Sequence, residues 1–547
     1  MLQGLMQDWP LTLDKVLDFA AVTHGGREIL TRTETGLART TYAALRERAK
    51  QVSHGLLELG VRPGDRIATL AWNTAEHMET WYGTYGVGGV VHTLNPRLTP
   101  EQIAWIANHA EDKLLFADVS LLPLVERIRP HLQTVERLIV LSAPEGARFE
   151  NLPGAIGYRD FVAERPVHTP WGGFPEEAAA GLCYTSGTTG NPKGVLYSHR
   201  ANILHALAAN QGDAFGLCAR DVVLPIVPMF HANAWALTTV CPMAGAKMVM
   251  PGRHLDGASV YELLESEQVT LTAAVPTVWL MLLQHLRTTG AKLSTLRRVI
   301  IGGAAVPEAI LRAFEEDYGV EVVHAWGMTE MSPMGTLCAM GPEEAKLDHE
   351  SRIRLKLKQG RAPFTVEMKI VDEAGRELPR DGKSFGRLLV RGPAVAKAYF
   401  RGDGARRADG SALEADGFFD TGDIATLDPA GFMQITDRAK DVIKSGGEWI
   451  SSIEIENLAV GAPGVAVAAV IGVPHPKWDE RPLLIIQPKA GEAPSKEAIL
   501  AYLEGKIAKW WMPDEVAFVE AIPLGATGKV NKLELRKRFA PHAPASS

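Results

Sequence analysis

Residues 184–195 read YTSGTTGNPKGV, and their side chains are those of a phosphate-holding loop. Gly187, Gly190 and Gly194 permit backbone shapes that side chains forbid, and they let amides approach an anion closely. Thr185, Ser186, Thr188 and Thr189 add hydroxyl donors, and Lys193 adds a mobile positive charge. The loop departs from the Walker pattern, because Pro192 stands where that pattern has the glycine before lysine. Its flanks differ too. AAAGLCY before it and GVLYSH after it both read as strands, whereas a Walker loop opens a helix.

Four further stretches carry groups of the right kind for nucleotide chemistry. They are AWGMTE at 325–330, DGFFDTGD at 416–423, TDRAKDVIKSGGEW at 436–449 and LGATGKVNK at 524–532. Each has an ordinary reading when taken alone. Threonine caps helices, TGD makes an Asx turn, a charge run is a solvated linker, and TGK near a terminus is an exposed turn. Their order along one chain makes them specific.

Taken together, these motifs resemble those of the adenylate-forming superfamily: acyl-CoA synthetases, luciferases and peptide-synthetase adenylation domains. The resemblance runs over nearly the whole chain. It implies that residues Thr185, Ser186, Gly187, Thr188, Thr189, Gly190 and Lys193 hold phosphates of ATP. It implies that Trp326 flanks the adenine and acyl pocket, that Thr329 contacts phosphate, and that Glu330 with Thr185 binds Mg²⁺. One carboxylate plus substrate phosphates is a normal Mg²⁺ environment. Asp423 would accept from the ribose hydroxyls, and Arg438 would contact ribose or phosphate. Lys440 and Lys444 would lie near the nucleotide in one domain orientation. Gly446 and Gly447 would let the pantetheine arm of coenzyme A pass against backbone. Lys529 would be the adenylation lysine. Gly303, His324, Ala325, Ile435 and Trp449 complete the implied cofactor-binding set.

The implied reaction has two halves. A carboxylate attacks the α-phosphorus of Mg-ATP to give acyl-AMP and pyrophosphate, and the thiol of coenzyme A then displaces AMP. PMFHANAW at 228–235 resembles the acyl-site wall. His231 is expected beside the reacting carboxyl and Trp235 at the gate of the acyl tunnel, with Gly302, Gly327 and Pro333 as further walls. Trp279 reads as core. These walls contain no acid to catch an amino group, which weighs against an amino-acid-activating domain. The stretches SHRANILHALAAN, KSGGEWIS and HPKWDERP bring the likeness closest to bacterial medium- and long-chain fatty acyl-CoA synthetases and 3-(methylthio)propionyl-CoA ligases. A medium-chain acid is the first expectation and a short or thioether acid the second. One departure stands out: His324-Ala325-Trp326 replaces Gln-Gly-Tyr or a similar triad, and the bulk of Trp326 is expected to reshape the acyl pocket. An acyl-AMP ligase that loads a carrier protein is the alternative of another class. A luciferase-type oxygenase and a non-catalytic binding protein are the remaining ones.

The elements that must position these groups follow from pattern. The chain has 547 residues, more than one core can serve. Strand–helix alternation through VVLPIVPM, KMVMPG, VTLTAAVP and LRRVIIGG predicts βαβ-type sheets covered by helices. Near residue 360 the texture changes to short alternating strands, a small β unit. The expected fold is α/β. A large N-terminal ATP- and acyl-binding domain spans 1–437, a hinge spans 438–441, and a small mobile α+β domain spans 442–547. Residues 12–62 read as helix, with leucines at helical spacing up to Gly60. A net charge of −7 gives no support to a nucleic-acid surface. The four cysteines form no CxxC pair, so zinc or a disulfide framework is not expected. The N-terminus has acids and a proline before any apolar run, unlike a signal peptide, and no apolar run reaches the length of a membrane span. The partners expected are the acid, ATP and coenzyme A, in a cytoplasmic homodimer.

Overall fold

The computed structural model describes residues 1–185, 191–407, 410–445, 448–525 and 530–539; for Glu448 and Trp449 only the backbone is described. Ser186, Gly187, Thr188, Thr189, Gly190, Gly446, Gly447 and Lys529 therefore lie outside the described residues, as does the side chain of Trp449.

Two large sheets carry the first part of the chain. In the seven-stranded sheet the order is Ile156–Gly157, Arg137–Leu141, Asp112–Asp118, Arg66–Leu70, Val90–Thr93, Ala179–Tyr184 and Gly194–Ser198. All neighbours run parallel except the last pair. In the eight-stranded sheet the order is Met334–Leu337, Glu321–Gly327, Arg298–Ile301, Leu271–Ala274, Val222–Pro225, Lys247–Met250, Glu28–Thr33 and Gly36–Thr41. Its interior pairs are parallel and both edges antiparallel. Such strands are apolar on both faces because helices cover both. One apolar core joins the two sheets. It takes Val91 and Ala180 from the first, Ile29, Met248 and Ile300 from the second, and Leu17, Leu45, Trp81, Ala206 and Val240 from helices between them.

The small β unit is a four-stranded antiparallel sheet, ordered Glu367–Val371, Phe385–Arg391, Phe419–Leu427 and Met433–Arg438. The last sheet contains Glu448–Ile450, Ile443–Ser445, Asp479–Pro488 and Val465–His475, with Glu515–Phe518 added in parallel to Asp479–Pro488. The helices Ser452–Val460 and Lys496–Leu503 lean on it, with Ile455, Ala459, Ile499 and Leu503 buried in its own core.

The helical reading of 12–62 needs a correction. Between helices Asp14–Thr23 and Tyr42–Glu58 the chain forms a hairpin, Glu28–Thr33 with Gly36–Thr41, that closes one edge of the eight-stranded sheet. The segment is EILTRTETGLARTT, and its many threonines favour strand over helix. Gly36, at φ +144°, makes the turn.

Candidate active site

The phosphate-loop motif joins two paired strands. Tyr184 pairs with Gly194, the Thr185 amide donates to the Lys193 carbonyl at 2.9 Å, and the Lys193 amide donates to Thr185 Oγ1 at 3.3 Å. The following strand feeds helix His199–Ala209, whose N-terminus is capped by the Ser198 hydroxyl accepting from Ala201. Gly194 has no room for a side chain: a Cβ there would lie 3.0 Å from Phe400 Cβ and 3.1 Å from Tyr184 Cζ. Lys193 Nζ sits 4.9 Å from the centre of the Tyr399 ring, and Tyr399 donates its hydroxyl to Glu330 Oε1 at 2.6 Å.

Glu330 lies in the turn after strand Glu321–Gly327. Three groups fix that turn. The Tyr197 hydroxyl donates to the Thr329 carbonyl at 2.7 Å, the Ala396 amide to the Glu330 carbonyl at 2.7 Å, and the Met328 amide to the Pro333 carbonyl at 2.9 Å. Gly327 is required here, since a Cβ would stand 2.1 Å from the Pro333 carbonyl oxygen.

Side chains alternate along Glu321–Gly327, so Ala325 and Gly327 share one face and His324 and Trp326 the other. Trp326 lies flat on Gly335, whose Cβ would fall 2.2 Å from its ring, and packs beside Met331 and the small β unit. Its indole N–H donates to Asp423 Oδ2 at 3.0 Å. The other oxygen of Asp423 accepts from Arg438 Nε at 2.8 Å, and the two residues are partners across their strands. The bulk of Trp326 therefore points to Asp423 and away from the face that Ala325 presents. His324 is buried. Its Nε2 is 3.5 Å from the Gln359 amide, whose oxygen accepts from the Ile435 amide at 2.6 Å. Burial holds the His324 pKa at about 4, so the ring is neutral.

The residues expected to form the acyl wall gather on the opposite face. Trp235 Cη2 is 3.1 Å from where a Gly302 Cβ would be, and Ala325 Cβ is 3.5 Å from the same point. Gly303, at φ +79°, packs beside Val275 and Trp235. His231 precedes Trp235 on the same turn, its amide donating to the Pro228 carbonyl at 3.1 Å. Five consecutive residues without a glycine, Ala232 to Ala236, have φ between 43° and 66°. This left-handed turn costs about 1–2 kcal/mol per residue, so contacts must hold it. Asn233, the residue best suited to that conformation, is one tether: its Oδ1 accepts from Cys183 Sγ at 3.3 Å, on the strand that enters the phosphate loop. The segment after Pro333 is held by His205, whose Nε2 accepts from the Met334 amide at 3.0 Å. Trp279 is fully buried against Phe314.

Lys444 falls outside this cluster. Its ammonium is 3.8 Å from the exposed Glu373, and its amide donates to Glu480 Oε2 at 3.0 Å. Lys440 follows Arg438 by two residues, and its pKa is lowered by burial. The four-stranded sheet ends at Arg438 and the five-stranded sheet begins at Ile443. Across that junction, Asp437 accepts from the Ser452 amide at 2.6 Å, and Asp441 pairs with Arg536 at 2.7 Å.

Sequence reading missed Tyr399, Tyr197, Gln359 and Asn233. The first three act on partners 69, 132 and 76 residues away, so no local motif marks them. Among the described residues, no group of three or more His, Cys, Asp or Glu could hold a metal ion, and no helix is long and apolar enough to cross a membrane.

Comparison with known proteins agrees with this geometry. Residues 17–400 match the AMP-binding enzyme family, and residues 454–529 match the AMP-binding enzyme C-terminal domain. The chain is 49% identical to a 3-methylmercaptopropionyl-CoA ligase of Ruegeria pomeroyi over 98% of both proteins. It is 43% identical to a medium-chain-fatty-acid–CoA ligase of Ectopseudomonas oleovorans, over 98% of this chain and 97% of that one. The solved structure of ATP-bound MatB from Rhodopseudomonas palustris superposes with a TM-score of 0.81 at 28% identity, over 97% of this chain and 99% of that one. The chain belongs to the AMP-binding enzyme family and is an AMP-forming acid–thiol ligase, using ATP and coenzyme A to make an acyl-CoA.

Proposed function

We propose that the acid is short, of the size of 3-(methylthio)propionate, with medium-chain fatty acids next. The observation that carries this is the closure of Trp235 over Gly302 beside Ala325. The tip of the indole, Cη2, comes so close to Gly302 that a Cβ there would lie 3.1 Å from it, a narrowing that favours a short acid. The wall is apolar, which suits a thioether as well as a methylene chain. This reading puts the second expectation from sequence, a short or thioether acid, ahead of the first.

In the adenylation half-reaction, a carboxylate oxygen attacks the α-phosphorus. Positioning and electrostatics carry such chemistry. Lys193 and the Thr185 end of the loop hold the leaving phosphates. Asp423, already oriented by Arg438 and Trp326, accepts from the ribose hydroxyls. His231 lies on the acyl side. Lys529 bridges the attacking carboxylate and the α-phosphate. Glu330 and Thr185 offer a carboxylate and a hydroxyl, the oxygen donors that suit Mg²⁺, and Tyr399 occupies only one carboxylate oxygen of Glu330. Bound there, Mg²⁺ would offset the charge of the phosphates.

For thioester formation the domain after residues 438–441 turns about that hinge. Lys529 leaves, and Gly446–Gly447 line the thiol path, with Lys440, Lys444 and Trp449 on the moving side. The remaining parts of this reading are a homodimer and a reducing cytoplasm. The four cysteines, all free, are consistent with the latter.

The test is AMP release over C2–C18 acids plus 3-(methylthio)propionate. The expected optimum is 3-(methylthio)propionate or an acid no longer than medium chain. A long-chain optimum overturns the substrate assignment.

A further inference from the structure

The segment Tyr399–Gly404 touches the phosphate loop and the turn of Glu330 together. Tyr399 donates to Glu330 Oε1 at 2.6 Å, and the same ring lies 4.9 Å under Lys193 Nζ. Beside it, Phe400 Cβ fills the space where Gly194 would carry a side chain. Gly404, at φ +66°, leaves room for the lysine: a Cβ there would be 2.5 Å from Lys193 Nζ. The Ala396 amide, in the loop just before this segment, holds the Glu330 carbonyl. On its far side the segment is anchored to the C-terminal end of helix Pro100–Ala110, with Arg401 pairing with Glu111 at 2.6 Å and His109 Nε2 lying 3.6 Å from Asp403.

We propose that Tyr399 is a positioning residue for adenylation, fixing the Glu330 carboxylate and the Lys193 ammonium relative to one another through a single phenol. This rests on the reading of Glu330 and Lys193 given above. Glu330 is 7% exposed, so its carboxylate needs a donor inside the protein. The ring face supplies an electron-rich surface for the ammonium without neutralising it, so the lysine keeps its charge for phosphate. A carboxylate in place of the phenol would pair with the lysine and repel Glu330.

Two variants separate the parts of the phenol. Tyr399→Phe keeps the ring and removes the donor. Tyr399→Leu removes both. Calorimetric titration of ATP binding at varied Mg²⁺ needs no acid and no turnover. With Tyr399→Phe, the Mg²⁺ concentration for half-maximal ATP binding should rise about 10-fold, the scale of a hydrogen bond to a charged group. Acid-dependent pyrophosphate exchange should fall similarly, while thioester formation from supplied acyl-AMP stays at the wild-type rate. Tyr399→Leu should add about a 2- to 5-fold loss of ATP affinity from the missing ring. Wild-type Mg²⁺ dependence in Tyr399→Phe, or equal loss in both half-reactions, overturns the positioning role. Failure of the wild-type chain itself to bind ATP with Mg²⁺ contradicts instead the underlying assignment of Glu330 and Lys193.

Discussion

The two faces of strand Glu321–Gly327, the proposed nucleotide face and the proposed acyl face, are built differently. On the nucleotide face, carboxylates are fixed by donors from elsewhere in the chain: Arg438 and Trp326 hold Asp423, and Tyr399 holds Glu330. Directional bonds to charges keep such a site in one geometry before ligand arrives, which suits chemistry that depends on preorganisation. On the acyl face, Trp235 rests on Gly302 through van der Waals contact, at the end of a left-handed turn that the chain must hold against its preference. That face can change with one side chain and leave the nucleotide site intact. The difference explains how one scaffold keeps its reaction while its acid varies.

Three substitutions sharpen this contrast. The largest effect is expected from Lys529→Ala, which removes the cation proposed to bridge the acid and the α-phosphate. Pyrophosphate exchange should fall by about 100-fold or more, the scale for losing one transition-state charge stabiliser, while thioester formation from supplied acyl-AMP changes far less. Equal loss in both assays would sink the two-orientation reading. Trp326→Phe comes next. It leaves Asp423 Oδ2 without its indole donor and should raise KM for ATP by about 10-fold, with no change in the ranking of acids. A changed ranking would mean that Trp326 faces the acyl side after all. The smallest effect on the nucleotide site is expected from Trp235→Ala. It should shift the preference for each added pair of methylenes toward longer acids by roughly 10-fold and leave KM for ATP within about 2-fold. An unchanged chain-length profile would remove Trp235 as the limit of the pocket.

Much of the nucleotide face was legible in the sequence, because its groups sit in short motifs whose spacing is local. The hairpin around the phosphate loop could be read from strand-like flanks, and the pairing of Tyr184 with Gly194 realises it. The Asp423–Arg438 pair was legible as two motifs, though their direct contact was not. Strand alternation, visible in principle in His324-Ala325-Trp326-Gly327, decides which face Trp326 lies on, and residue size alone does not carry that information. The left-handed turn at Ala232–Ala236 leaves almost no trace, since HANAW contains no glycine and only Asn233 tolerates that conformation readily. Tyr399 was invisible for a different reason. Its role depends on meeting Glu330 and Lys193, and only the folded sheets bring those three together.

The most direct test of the central claim is AMP and thioester formation from ATP and 3-(methylthio)propionate, measured with and without coenzyme A. The structure predicts sustained AMP release and acyl-CoA formation only when coenzyme A is present. No AMP release with this acid or any of the C2–C18 series would contradict the ligase assignment, and sustained turnover without coenzyme A would contradict the thiol acceptor.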